Sequence, residues 1–205
     1  MQSMSVHVSR ALEQIAEIHQ QLAKGEVYRG YRPVPMACSG IAGLIAAAAQ
    51  PRALGWNDPI GFVLYWTGVA AICALIASSE IAHNFIVRES KTERRRTRRV
   101  IAQFVPAVAA GAIVSGTFVR LSPALIAALP GLWSLFFGLG IFASRPYLPR
   151  ASGWVALFYF AAGIGLLWLS PTGVPRSPWS VGGTFGAGQL LAALVLYLNR
   201  ERNEV

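Results

Sequence analysis

The residues with the most chemical character in this sequence are Glu80, His83 and Asn84, near the end of an apolar segment. Their spacing places them on one face of a helix. A carboxylate in a bilayer is costly and marks a candidate site for proton or substrate handling, and a Glu-x-x-His pair can supply two metal ligands in a helix bundle. The apolar segments contain no other Glu, Asp or His to complete a metal site. The simpler interpretation is a polar cluster at the membrane interface.

Four further polar residues are expected at the same level of the membrane. Gln103 begins a later apolar segment, and Arg145, Tyr147 and Arg150 occupy a short loop. Arg145 could pair with Glu80, and the remaining cations could hold anionic lipid headgroups, as basic sites between helices do. The alternative is a charge cluster that sets topology, with one salt bridge at a helix end.

Gln189 lies about eight residues into the last apolar segment, near the middle of the membrane. An amide at that depth must find a partner across helices. Structural hydrogen bonding is the simpler role, but Gln189 is also the best candidate in this sequence for lining a pore.

The glycine-rich stretch around Gln189 predicts close helix packing. Gly182 and Gly186 form a GxxxG pair, which lets two membrane helices approach closely. Without a preceding strand or a following Lys-Ser/Thr pair, a nucleotide-binding loop is a poor interpretation. Similar small-residue pairs occur in two other segments: Ser39 with Gly43, and Ala112 with Gly116.

The composition is that of an integral membrane protein. Of the 205 residues, 54% are hydrophobic and 13% are charged, yet the net charge is +9. An ordinary soluble domain has about 25% charged residues. The two cysteines, Cys38 and Cys73, form neither a disulfide framework nor a metal motif. No catalytic motif is present, so we predict a protein that is not an enzyme and has no cofactor or metal.

Six apolar segments predict an all-α polytopic bundle with six transmembrane helices. Residues 1–33 form a cytoplasmic N-terminal region, 34–198 the transmembrane domain and 199–205 a cytoplasmic tail. The region before the first span contains an amphipathic helix whose charges cancel, which favours protein packing over lipid binding. The six spans are predicted at 34–51, 60–82, 100–119, 124–143, 153–170 and 181–198, the second with a helix that could continue to Val87.

The basic residues predict the orientation of the bundle. Fifteen of the 18 Lys and Arg fall on one side of the six spans. By the positive-inside rule that side is cytoplasmic, so both termini are inside. Seven of the fifteen lie in residues 88–99, the expected loop between the second and third spans. This run fits topology and contact with anionic lipids, and no nucleic-acid partner is expected.

Two stretches resemble a set of six-span bacterial inner-membrane proteins with no established activity. They are residues 131–150, GLWSLFFGLGIFASRPYLPR, and residues 28–32, YRGYR. The likeness covers most of the chain after about residue 15. It implies a bacterial cytoplasmic membrane and an association with a small winged-helix transcriptional regulator.

The preferred function is a non-enzymatic regulatory, sensory or partner-subunit membrane protein. Residues 1–24 would bind a protein partner or a second copy. One alternative is an oligomeric transporter or channel for a small solute or protons, which would use Gln189, Glu80 and His83. A third possibility is a lipid-modifying enzyme with His83 as its base.

Overall fold

The computed structural model describes the backbone of residues 33–53, 58–87, 91–172 and 177–201, and the side chains in these ranges other than 53, 77–87, 91–97 and 199–201. This part of the chain has no strand, so the predicted all-α architecture is confirmed there. The predicted helix over residues 1–24 lies outside it. Six α-helices follow one another: α1 (Pro33–Ala53), α2 (Pro59–Val87), α3 (Lys91–Leu121), α4 (Leu129–Ser144), α5 (Ser152–Trp168) and α6 (Pro178–Glu201).

Among the described residues, five helical segments are long and apolar enough to cross a membrane, namely those containing α1, α2, α3, α4 and α6. The outer surface is also apolar, since Leu64, Leu75 and Ile113 each expose 68–69% of their area. Side chains of this kind are stable on a protein surface that faces lipid. The structure therefore has the helices of a polytopic membrane protein.

Helix α5 is shorter than the span predicted at 153–170. It has 17 residues, which makes it about 25 Å long. Pro149 and Pro171 lie just outside its two ends. The residue before a proline is disfavoured in the α conformation, so Pro171 opposes continuation of the helix through Ser170.

Helix α3 is longer than predicted. It has 31 residues and begins at Lys91, inside the basic run that we expected to be a loop. Lys, Arg and Glu are good helix formers, and neither Gly nor Pro interrupts the chain before Pro106. The apolar pattern alone therefore underestimated this helix. Helix α2 does extend to Val87, as its sequence allowed.

The fourth predicted span begins as a 3-10 helix, Pro123–Ala128, before it becomes α4. The Ser122 hydroxyl accepts a hydrogen bond from the Ala124 amide at 3.3 Å and caps this turn. Pro130 has no N–H to donate to the Ile126 carbonyl, and the Leu129 amide donates to that carbonyl instead. The tighter turn thus ends where α4 starts.

The closest helix packing joins α1 to α6, which run antiparallel. A Cβ added at Gly182 would lie 2.5 Å from the Gly43 carbonyl oxygen, and one added at Gly186 would lie 3.1 Å from the Gly40 carbonyl oxygen. Gly182, Gly186 and Gly43 are thus in this interface, and Ser39 is half-buried on α1.

The Ala112–Gly116 pair is placed differently from the other small-residue pairs. Both residues are exposed on α3. A Cβ added at Gly116 would meet no described atom within 4 Å. The expected helix contact through this pair is therefore not made within the described part of the chain. A GxxxG-like spacing permits close approach but does not choose which helices meet.

Two clusters of side chains form the interior. The first lies at the end of the bundle where α1 ends and α2 begins, and it includes Phe62, Trp66, Ile126 and Leu129. There the Trp66 indole donates to the buried Gln50 side-chain oxygen at 2.7 Å. The second cluster is aromatic and joins α3, α4, α5 and α6 through Phe104, Phe137, Tyr159 and Phe185.

Candidate functional site: a cavity beside Tyr159 and Gln189

A cavity of about 60 Å³ lies against the aromatic cluster. Its walls come from the start of α1, the first half of α3, the end of α4, the α4–α5 connection, the start of α5 and the second half of α6. We call this end of the bundle the inner end. The lining residues are Met36, Phe104, Phe137, Ile141, Ser144, Leu148, Ser152, Val155, Tyr159, Gln189, Ala192 and Leu196.

The deep end of the cavity is formed by Tyr159 and Gln189. Tyr159 is fully buried, and its hydroxyl donates to the Phe185 carbonyl oxygen at 3.4 Å. The other polar group at this end is the side-chain amide of Gln189, with its oxygen Oε1.

That amide oxygen, Gln189 Oε1, is buried and has no hydrogen-bond partner among the described residues. The same is true of the Ser144 hydroxyl, on a residue that is only 1% exposed. Buried polar groups normally have a partner, because an unmet hydrogen bond costs about 1–3 kcal/mol. Two such groups lie in the lining of one cavity, where a polar molecule would satisfy them.

The position of Tyr159 depends on two glycines. A Cβ added at Gly188 would overlap the Tyr159 ring, and one added at Gly138 would lie 3.1 Å from the Tyr159 Cβ. The Tyr159 carbonyl also accepts a hydrogen bond from the Ser134 hydroxyl at 3.0 Å. Helices α4 and α6 therefore hold this tyrosine from both sides.

The lining contains no charged side chain. Its polar groups are two serine hydroxyls, one phenol and one amide. In the described part of the chain, no three His, Cys, Asp or Glu side chains come close enough together to hold a metal ion. The arrangement can therefore bind a neutral molecule through hydrogen bonds and apolar contacts.

The residues predicted at the inner interface are only partly brought together. Arg145 is exposed, and its guanidinium carbon lies 5.6 Å from the centre of the Phe142 ring. Arg150 is exposed as well, and Tyr147 is half-buried. These three residues belong to the α4–α5 connection, in which Leu148 lines the cavity.

The remaining predicted polar residues have different positions. Gln103 is half-buried on α3, and its Oε1 has no partner among the described residues, but it does not line the cavity. Glu80, His83 and Asn84 belong to the last turns of α2, and their side chains lie outside the described residues. The expected pair between Glu80 and Arg145 therefore stays a prediction.

Sequence reasoning identified Gln189 but missed Tyr159 and Ser144. A tyrosine in an apolar segment looks like an interfacial or packing residue, and a serine in a membrane helix usually bonds to its own backbone. The sequence contained one signal for a close contact at Tyr159, namely Gly188. This glycine lies two residues after Gly186 and therefore on a different face of the helix from the GxxxG pair. A glycine on that face indicates that a second neighbour also approaches α6 closely.

The chain matches no protein-family model, no curated protein and no solved structure. Its function is therefore inferred from its own residues: a helical bundle, a cavity at one end and two unsatisfied polar atoms in that cavity.

Proposed function

We propose that this chain is a six-span protein of a bacterial cytoplasmic membrane, with both termini inside, and that it acts as a non-enzymatic sensory or regulatory subunit. The observation that carries the proposal is the uncharged cavity with the unsatisfied Ser144 and Gln189 oxygens. In this proposal, a bound small molecule alters the inner end of the bundle, and a partner protein responds to that change.

The positive-inside rule supports this orientation. Arg98, Arg99, Arg145 and Arg150 are exposed at the inner end, and lysine and arginine in short loops favour the cytoplasmic side. The cavity then lies in the cytoplasmic half of the bundle. For α5 to cross as the fifth of six spans, its 17 residues must suffice, which is at the short end of the range for membrane helices.

The closed packing of the opposite half favours sensing over transport. Helices α1 and α6 are in backbone contact at Gly43 and Gly182, and the aromatic cluster lies beside the deep end of the cavity. A solute pathway through one copy would require these contacts to separate. Reversible binding at the inner end requires no such change.

The chemistry of the cavity favours binding over catalysis. Nucleophilic catalysis needs a nucleophile with an adjacent base, whereas Ser144, Ser152, Tyr159 and Gln189 are all neutral and none is a strong base. A hydroxyl, a phenol and an amide are typical of sites that orient a small ligand.

Recovery of a partner from membranes tests this proposal. We expect the full chain, crosslinked in native membranes and then purified, to retain a specific cytoplasmic protein. A chain lacking residues 1–24 is expected to lose that protein while it still inserts and folds. If the deletion changes neither assembly nor partner recovery, the partner role is wrong. Reporter fusions at both termini test the orientation separately, and an external signal from either fusion contradicts it.

A transporter is the second candidate, and one observation favours it. Gln189 Oε1 is an unsatisfied acceptor within a membrane-spanning helix, where a translocated proton or solute could bind. Purified protein in liposomes would then show a flux that Gln189→Leu reduces. Flux that is absent, or that Gln189→Leu and Glu80→Leu leave unchanged, removes these residues from a transport mechanism.

A further inference from the structure

We propose that the inner-end cavity is a binding site for a small uncharged molecule with a hydroxyl group, and that this hydroxyl donates a hydrogen bond to Gln189 Oε1. The proposal deepens the sensory role and rests on it, since this molecule would be the signal. A short alcohol represents the ligand class.

The requirement for a donor follows from the hydrogen bonds around Gln189. Gln189 Oε1 is buried without a described partner, while the Tyr159 hydroxyl beside it donates to the Phe185 carbonyl. A side-chain amide oxygen can only accept a hydrogen bond, so the partner of Gln189 Oε1 must be a donor.

The second unsatisfied group is also compatible with a hydroxyl. The Ser144 hydroxyl can either donate or accept, and it lines the same cavity without a described partner. A ligand hydroxyl supplies the donor that Gln189 requires. A ketone or ether oxygen can only accept, and it leaves Gln189 unsatisfied.

The lining excludes a charged ligand. None of the twelve lining residues is Asp, Glu, Lys or Arg. A buried charge without a counter-charge is strongly unfavourable. Ammonium ions, carboxylates and phosphates are therefore disfavoured against neutral molecules of the same size.

The volume indicates the size of the part of a ligand that the cavity can hold. A water molecule needs about 10–15 Å³ of such a cavity, and a cavity of about 150 Å³ binds benzene. The 60 Å³ here suits a molecule of about four non-hydrogen atoms. Phe104, Ile141 and Val155 supply an apolar surface for a short hydrocarbon part. Such a small ligand binds weakly, in the millimolar range.

Met36 provides a direct spectroscopic test, because it lines the cavity and the chain has only two other methionines. The full-length protein is labelled with ¹³C in the methionine methyl groups, and Met36→Leu assigns the Met36 resonance. The ligands are 2-propanol and acetone, which have the same number of non-hydrogen atoms. Only 2-propanol has a hydroxyl donor.

We expect a saturable shift of the Met36 resonance with 2-propanol, and an apparent Kd about fivefold higher for acetone, the effect of one hydrogen bond. Gln189→Leu is expected to remove this preference. Gln50→Leu is the matched control, because it deletes another buried amide, bonded to Trp66, and is expected to keep the preference.

Three results would overturn the proposal. A shift that grows linearly with alcohol and never saturates indicates partitioning into detergent, with ordered water alone in the cavity. Equal affinity for acetone and 2-propanol in the wild-type protein contradicts the donor requirement, even if Gln189→Leu fails to fold. A preference that survives Gln189→Leu assigns the ligand to other residues. Partner recovery with and without residues 1–24 is a separate measurement, so failure here leaves the partner role to its own test.

Discussion

Substitution of Gly182 by alanine tests the central packing contact of the bundle. Gly182 lies on α6 where that helix meets α1. An added Cβ would lie 2.5 Å from both the Ala47 Cβ and the Gly43 carbonyl oxygen, and 2.7 Å from the Trp66 ring. Two of these three atoms belong to the backbone or are fixed directly to it. No side-chain rotation can therefore relieve the overlap, and the helices must separate.

The size of the effect follows from these distances. Non-bonded carbon atoms are most stable about 3.5–4.0 Å apart, so the helices must move by about 1 Å. Neighbouring contacts along α1 and α6 then lose part of their dispersion energy. Overpacking of this kind typically costs about 1–3 kcal/mol. We expect Gly182→Ala to lower the free energy of unfolding by that amount.

The next residue in the same helix is the matched control. A Cβ added at Gly183 would lie 3.8 Å from the nearest side-chain atom, in Trp179, which is an ordinary contact. Alanine is a better helix former than glycine by up to about 1 kcal/mol. Gly183→Ala should therefore be neutral or slightly stabilising, although it is chemically the same change one position away.

Reversible unfolding in mixed detergent micelles measures both variants, with circular dichroism at the helix band as the signal. Wild-type protein, Gly182→Ala and Gly183→Ala are compared under identical conditions. If the two variants differ by less than about 0.5 kcal/mol, the range of ordinary surface substitutions, the close approach of α1 and α6 is refuted. A more stable Gly182→Ala would refute it outright.

Three further predictions use the same unfolding measurement. Trp66→Phe removes the 2.7 Å hydrogen bond to Gln50 and should lower the free energy of unfolding by about 1–3 kcal/mol, because it leaves a buried acceptor unpaired. Adding Gln50→Leu to this variant should recover part of that loss. If the effects of the two single substitutions simply add in the double variant, the hydrogen bond is contradicted. Gly116→Ala should be neutral, since no described atom lies within 4 Å of its added Cβ; a change in oligomer size would instead show that another copy packs there. Gly188→Ala should destabilise the bundle by displacing the Tyr159 ring, and a stability equal to wild type would contradict the position of that ring.

The apolar segments were predictable because helices in a membrane need long apolar runs. The predicted helix ends were less accurate where helix propensity or backbone hydrogen bonding, rather than hydrophobicity, determines where a helix begins. Helix α3 continues into charged residues because they are good helix formers, and α4 starts late because Pro130 cannot donate a hydrogen bond. The number of membrane crossings and the orientation remain predictions from length and charge.

The candidate site was predictable only in part, and the reason is geometric. Gln189 could be identified from the sequence because an amide is rare in an apolar segment, and this signal needs no knowledge of neighbouring helices. Ser144 and Tyr159 are separated from it by 45 and 30 positions, and nothing in their local sequence links the three. Their meeting depends on how α4, α5 and α6 pack.

The sequence by itself determined that the chain is apolar and helical, because these properties are sums over local residues. Only the tertiary structure decided which small residues make contacts. Gly182 meets Gly43, whereas Gly116 with the same kind of spacing faces outward. It also decided that the Gln189 side-chain oxygen is buried in the bundle without a described partner. Hydrogen bonds between helices depend on distances of a few tenths of an ångström, which are set by the packing of all the helices together.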